Sequence, residues 1–304
     1  MKKKEFKSGF IAILGRPNVG KSTLLNVLLG NKISIISPVP QTTRHQIRGI
    51  LNLEEAQVVF VDTPGVHSFS DKLAAHLNTI ARRAIDGCDL IVYVVDTSRK
   101  PGLEEQKLMK IVTSQNIKTI MVLNKVDLGS KFLNEYIELW QEKIKDKKVK
   151  DSLIYYIPVS AKTEENVDKL RDSLLENLPA GPCYYEKDSL TDFPVKFRVA
   201  DIIREKLFLQ LKEELPHSIA VEVEQIEVKK KLIYIKVNIY VKRNSQKRIV
   251  IGKQGQILKN VGSLARPEIE KIYNKKVFLD IWVKVLSDWQ SRPRILKELG
   301  YWWV

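Results

Sequence analysis

Residues 15–30 read GRPNVGKSTLLNVLLG and follow directly on the apolar run Phe10 to Leu14. An apolar strand that turns into a helix through Gly15-x-x-x-x-Gly20-Lys21-Ser22 narrows the fold sharply. The glycines let backbone N–H groups turn inward around phosphate oxygens, and the helix that opens at Lys21 points its positive dipole end at the same place. Lys21 is positioned to reach β and γ phosphates, and the Ser22 hydroxyl to ligate Mg²⁺. Arg16, Pro17, Asn18 and Val19 complete the loop, and Thr23 sits in the first helical turn.

The pattern downstream agrees with such a loop. Strand-like runs at 10–14, 57–61, 89–95, 118–123 and 153–158 alternate with helical patterns near 21–29, 71–86, 103–114, 131–145 and 164–177. This alternation predicts an α/β domain with a mostly parallel sheet and helices on both faces. Gly30 and Gly87 are placed as C-terminal caps of the first two helices. HQIRGILNLEEAQVVFVD reads as two strands around a turn at Asn52 to Glu55, which adds one antiparallel edge strand. The stretch LPAGPCYYEKDSLTDFP has three prolines and no periodicity, so 179–194 is expected to link the first domain, 1–178, to a second, 195–304. The second domain changes its order to a helix (195–214), two strands around KKK, a short helix, GKQG, a helix (256–273) and a last strand, which predicts a small α+β fold.

Composition restricts the partners. The 304 residues carry a formal net charge of +15, which favours a polyanion. From Thr191 onward there are 23 Lys+Arg against 13 Asp+Glu, compared with 28 against 23 before it, so the second domain holds most of the excess. Cys88 and Cys183 are the two cysteines, in no C-x-x-C pair, which excludes a disulfide framework or a cysteine-rich metal site and suits a reducing cytoplasm. MKKKEFK is followed by a short strand, not by an apolar leader, and is read as an unprocessed start. The runs LIVYVV and TIMVL fall far short of the ~20 residues a spanning helix needs.

Three further motifs identify the nucleotide. NKVD, with Asn124, Lys125 and Asp127, ends a predicted strand, which is where open α/β sheets bind ligands. The Asp127 carboxylate can accept both N1–H and the exocyclic amine of guanine. Adenine lacks that amine and would leave a carboxylate unpaired, so the expected ligands are GTP and GDP. Ser160, Ala161 and Lys162 follow the next apolar strand as a weaker base-side motif. In VDTPGV, Asp62 can hold a Mg²⁺-bound water, Thr63 and Pro64 make the turn, and the Gly65 N–H can touch a γ phosphate that is lost on hydrolysis. All four motifs fall on one predicted edge of the sheet.

GRPNVGKST, QTTRH and DTPGV together resemble the Era and TrmE group of translation-factor-like GTPases. Within that likeness the Mg²⁺-binding threonine of the first switch maps onto Thr43, with Thr42 the neighbouring candidate. Ras-like enzymes orient the attacking water with a glutamine just after D-x-x-G, but Val66 stands there and the general base is not visible. Some members of the group use K⁺ held partly by the loop asparagine. Asn18 is that residue, and it either takes this role or merely caps the loop. His45 and His67 are read as surface bystanders near the switches.

In VIGKQGQILKNVGSLAR, Gly252 and Gly255 flank Lys253 and Gln254 between two helices, which lets a nucleic-acid backbone come close. The flanking element order resembles a KH domain of type II. The resemblance makes Arg248, Lys259 and Arg266 its basic groove and gives Ile251 and Ile257, with Ile249 and Leu258, the floor under single-stranded bases. Trp282 and the YWW tail are read as core or edge packing. A GTPase domain followed by one KH-like domain resembles the Era family. This implies a Mg²⁺-dependent, GTP-hydrolysing switch that binds small-subunit (16S) ribosomal RNA near its 3′ end and assists 30S assembly. Such a protein is expected to be monomeric and cytoplasmic, with peripheral membrane association permitted by its charge. A TrmE-type enzyme would carry an N-terminal folate-binding domain and a C-terminal cysteine, a tandem GTPase would carry a second phosphate loop, and an RNA scaffold using GTP only for structure remains the non-enzymatic alternative.

Overall fold

Strands buried on both faces need helices on both sides, and the first half of the chain meets this requirement. The computed structural model describes residues 5–39, 42–65, 79–80, 83–145, 152–211 and 215–301. It divides into a first unit, Met1–Ile36 with Thr43–Asp192, and a second, Ser37–Thr42 with Phe193–Val304.

The first unit is a six-stranded sheet in the order β2-β3-β1-β4-β5-β6. Its strands are β1 (Lys7–Leu14), β2 (Ile47–Asn52), β3 (Ala56–Asp62), β4 (Leu90–Asp96), β5 (Thr119–Asn124) and β6 (Leu153–Val159). Only the β2–β3 pair is antiparallel, as the hairpin pattern predicts. Among the described residues its helices include α1 (Lys21–Leu29), α2 (Leu103–Thr113), α3 (Leu133–Ile144) and α4 (Val167–Asn177). Every residue of β3, β4 and β5 is buried, the signature of a parallel sheet covered on both sides. Tyr93, Leu108, Met109, Tyr136 and Trp140 fill one of these covered faces. Most of the helix expected over 71–86 lies outside the described residues.

Strand order reverses at β1, which pairs with β3 on one side and β4 on the other. The crevice at the carboxyl ends of these strands is the ligand position of a doubly wound sheet.

The aperiodic stretch read as a linker is held along the first unit as far as Asp192. Ser8 N donates to Pro179 O at 3.1 Å, Ile50 N donates to Leu190 O at 2.9 Å, and Arg48 pairs with Asp192 at 2.9 Å. The buried Gln57 amide clasps Tyr184 N and Tyr185 N through its Oε1 and Tyr185 O through its Nε2. Missing periodicity meant no regular element here, but the backbone groups still found partners.

The second unit has a three-stranded sheet, β7 (Ala220–Val228), β8 (Leu232–Val241) and β9 (Lys276–Val285), in the order β7-β8-β9. The β7–β8 pair is antiparallel and the β8–β9 pair parallel. Helices α5 (Val195–Gln210), α6 (Asn244–Ile251) and α7 (Gln256–Tyr273) accompany it, and α8 (Pro293–Glu298) follows. Ile233, Ile235, Val237, Ile239 and Val241 alternate along β8 into a core shared with Val199, Ile203, Leu207, Val261 and Ala265. Helix α5 stops short of the expected 214, with Leu211 already extended. Val39 packs against this core, and Arg204 donates to Thr42 O at 3.0 Å.

Candidate functional site

The phosphate loop is shaped by contacts that reach across the first unit. Gly20 has φ 101°, a left-handed conformation that favours glycine, and it caps α1. Asn124 lies behind it: its Nδ2 donates to Val19 O at 2.7 Å and its Oδ1 accepts from Ala161 N at 3.0 Å. Asn124 therefore joins the phosphate loop to the base-side motif. Thr63 donates to Ile13 O at 3.0 Å, and the Gly65 backbone lies so close to the loop that a Cβ there would meet Pro17 N at 2.7 Å.

Lys21 is buried at 6% exposure, and its Nζ donates to Gly15 O at 3.0 Å and Arg16 O at 2.8 Å. Burial lowers its pKa to about 8 against the opposing pull of Asp62 and Glu105. Asp62 is fully buried, and burial raises its pKa despite Lys21 and two serine hydroxyls. Its Oδ2 accepts from Ser22 Oγ at 2.9 Å and from Ser34 Oγ at 2.8 Å, while Oδ1 has no hydrogen-bond partner. Thr43 Oγ1 lies 3.0 Å from Ser22 Oγ, whereas Thr42 Oγ1 donates to Val39 O. Two hydroxyls beside a buried carboxylate with one unsatisfied oxygen form an all-oxygen donor set, which suits Mg²⁺.

On the base side, Asp127 is exposed at the sheet edge and its Oδ1 accepts from Ser160 Oγ at 2.7 Å, which fixes the carboxylate's orientation. Lys125 adopts φ 67° and pairs with Asp96 at 2.7 Å. Lys162 is exposed beside buried Ala161. Asn18 is half-buried at φ 62°. Val66 and His67 lie outside the described residues. His45, expected at the surface, is 2% exposed because the segment leading into β2 packs inward.

Several contributors carry no motif. Asp96 ends β4 in register with Asn124 and holds Lys125. Ser34 reaches Asp62, and Asn26 on α1 fixes that loop by accepting from Ile33 N and Ser34 N at 2.9 Å each. The only signal for Asp96 was a carboxylate at the end of an apolar strand, and Ser34 and Asn26 gave none.

In the second unit Gly252 (φ 75°) and Gly255 (φ 76°) bracket exposed Lys253 and Gln254, and α7 opens immediately afterward. A Cβ on Gly252 would meet Ile257 at 2.7 Å. Arg248, Lys259 and Arg266 are exposed. Ile251, Ile257 and Leu258 are half-buried at the margin of the core, while Ile249 is 50% exposed. Trp282 departs from the packing reading at 55% exposure, because it points to the uncovered face of the edge strand β9; Tyr301 from the tail is buried against Trp289.

A sequence profile described as 50S ribosome-binding GTPase matches residues 10–125, and one described as KH domain matches 214–290. GTPase Era of Geobacter metallireducens is 44% identical over 299 residues, spanning 97% of this chain and 98% of its own. The chain belongs to the Era family of GTPases. GTPase Era of Borreliella burgdorferi is 42% identical over 293 residues, covering 96% of this chain and 99% of that one. Two solved Era structures, each at TM-score 0.89 and 38% identity, cover 97% of this chain and 99% of theirs. One holds MgGDPNP and nucleotides 1506–1542 of 16S ribosomal RNA, and the other is an Aquifex aeolicus Era variant bound to GDP·AlF4⁻. The Era-family fold, a phosphate-loop GTPase domain followed by a KH domain, thus extends over the chain.

Proposed function

We propose that this chain is a GTP-hydrolysing switch that grips 16S ribosomal RNA near its 3′ end in the GTP form, releases it after hydrolysis and so assists 30S assembly. The observation that carries the reading is the pairing, along one chain, of four guanine-nucleotide motifs at one sheet edge with a G-x-x-G loop. The relative covering 97% of the chain holds a GTP analogue and 16S RNA together. Charge supports RNA at the second unit, and among the described residues no helix is long and apolar enough to cross a membrane.

The loop N–H groups and Lys21 hold the phosphates, Asp127 reads guanine, and Ser22 and Thr43 are the Mg²⁺ ligands with Asp62 behind a bound water. The metal, when bound, neutralises charge on the β and γ oxygens. The Gly65 N–H and Thr43 are the groups that lose their partner when the γ phosphate leaves. Thr43 is joined by one peptide bond to Thr42, whose carbonyl Arg204 holds. This continuity is a route from nucleotide state to RNA grip. Asn18 would hold K⁺, whose positive charge would add to that of Mg²⁺ at the phosphates, and equal turnover in K⁺ and Na⁺ with a silent Asn18→Ala would remove the ion from the reading.

The deciding experiment crosslinks the GTP-loaded protein in cell extract and sequences the attached RNA, in parallel with Gly252→Asp/Gly255→Asp. A peak at the 3′ end of 16S RNA that vanishes in the variant supports the proposal. A spread over unrelated RNAs, unchanged by the variant, reduces the second unit to a charged surface. A peak in large-subunit RNA redirects the reading to the larger particle, as the description of the profile over 10–125 would have it.

A further inference from the structure

One carboxylate in the first unit belongs to no motif and yet reaches the phosphate loop. Glu105 lies on α2 and is fully buried. Its Oε2 pairs with Arg16 Nε, and its Oε1 accepts from the Tyr93 hydroxyl. Arg16 Nη2 donates to Tyr136 OH at 3.1 Å, and Tyr136 OH donates to Arg99 O at 3.1 Å. Tyr93 and Tyr136 are themselves fully buried, and the Arg16 side chain is 16% exposed. The loop arginine is therefore tied into a largely buried polar network with α2.

Burying a carboxylate and a guanidinium is a poor way to stabilise a core. Desolvation offsets most of their attraction, and well-packed apolar groups do as well or better. Burial also raises the pKa of Glu105 against the pull of Arg16. What the pair supplies is position. Arg16 O and Gly15 O are the two carbonyls that receive Lys21 Nζ. Fixing the Arg16 side chain from below fixes that carbonyl, and with it the point where the ammonium stands.

We infer that Glu105 is a positioning residue for GTP hydrolysis, acting through Arg16 on the phosphate loop and so on Lys21. The ammonium has to stand where negative charge grows in the transition state, and small misplacements of such a group cost rate more than affinity. GDP, held chiefly by loop N–H groups and Asp127, is much less sensitive to it.

The inference rests on GTP turnover by this chain, and the controls separate the two. Wild-type protein without Lys21-dependent, multiple-turnover phosphate release would fail the GTPase reading itself. Given turnover, Glu105→Gln keeps the side chain's shape and removes its charge. The expected result is a kcat lower by about tenfold, with the KM for GTP and the Kd for GDP each within about threefold of wild type. Because an unpaired buried Arg16 also loosens the fold, Arg16→Met/Glu105→Met is measured beside it. The apolar pair is expected to return Tm to near the wild-type value while kcat stays about tenfold low. A double variant with restored Tm and wild-type kcat would show a purely structural pair and overturn the inference. So would Glu105→Gln with unchanged kcat, or with kcat and GDP affinity falling together.

Discussion

The chain contains two glycine loops that each feed a helix N-terminus, Gly15–Gly20 before α1 and Gly252–Gly255 before α7, and they are built in opposite ways. Around the first the polar side chains are held within the fold: Lys21 by two carbonyls, Asn124 by Val19 O, and one oxygen of Asp62 by two serines. Around the second, Lys253, Gln254, Arg248, Lys259 and Arg266 stand in solvent. The difference follows from the ligands. A nucleotide is one small, rigid polyanion whose reaction needs charges fixed in advance. A single-stranded polymer is held by many phosphates and apolar contacts, none of which has to be exact in position. Loss of one group should therefore be catastrophic at the first loop and graded at the second.

Lys21→Ala gives the largest effect. Removing the one ammonium among the β and γ phosphates is expected to lower turnover by at least ~10³-fold with RNA crosslinking to the apo protein unchanged. Phosphate release under multiple turnover checks it, and a loss below about tenfold would erase the contrast between the loops. Asp127→Asn comes next. The neutral amide cannot accept from both N1–H and the amine of guanine, but it can donate to a 2-keto base. GTP affinity should fall by ~10²-fold while xanthosine triphosphate gains, which competition binding would show.

Much of this was legible in the sequence because it rests on local signals. Strand, glycine turn and helix are contiguous at 10–29, and the four motifs sit at strand ends whose periodicity reveals them. The second domain was legible through element order, since G-x-x-G alone is weak. Ser34, Asn26, Asp96 and Glu105 were not legible, because each acts through a partner between 7 and 89 residues away that only the folded sheet brings close. The strap at 179–192 was hidden for the same reason: Gln57 lies in a strand that is otherwise apolar up to Asp62, and its partners include the backbone of Tyr184 and Tyr185.

A smaller effect separates the two glycines of the second loop. Both have positive φ, but a Cβ on Gly252 would also meet Ile257 at 2.7 Å, whereas one on Gly255 meets nothing within 4 Å. Gly255→Ala should cost about 1 kcal/mol of stability from the backbone alone. Gly252→Ala should cost about 1 to 3 kcal/mol more, because its φ 75°, ψ 173° is a conformation that essentially only glycine adopts and because Ile257 is pushed from the core margin. Chemical denaturation of the whole chain would rank them, and equal losses would mean that neither the Gly252 backbone nor Ile257 adds a cost.

The smallest effect belongs to the exposed charges, and it tests the comparison most directly. Lys253→Ala removes one cation that stands in solvent at the tip of the loop. If it does no more than neutralise a phosphate, RNA affinity should fall by about 1 kcal/mol or less, uniformly across RNA sequences. The slope of log K against log salt should become shallower by about 0.7, the single-strand value for one contact. GTP turnover without RNA should be unchanged. A loss of affinity confined to one RNA sequence, with the slope intact, would instead mean that Lys253 reads a base, and the second loop would then be as exacting toward its ligand as the first.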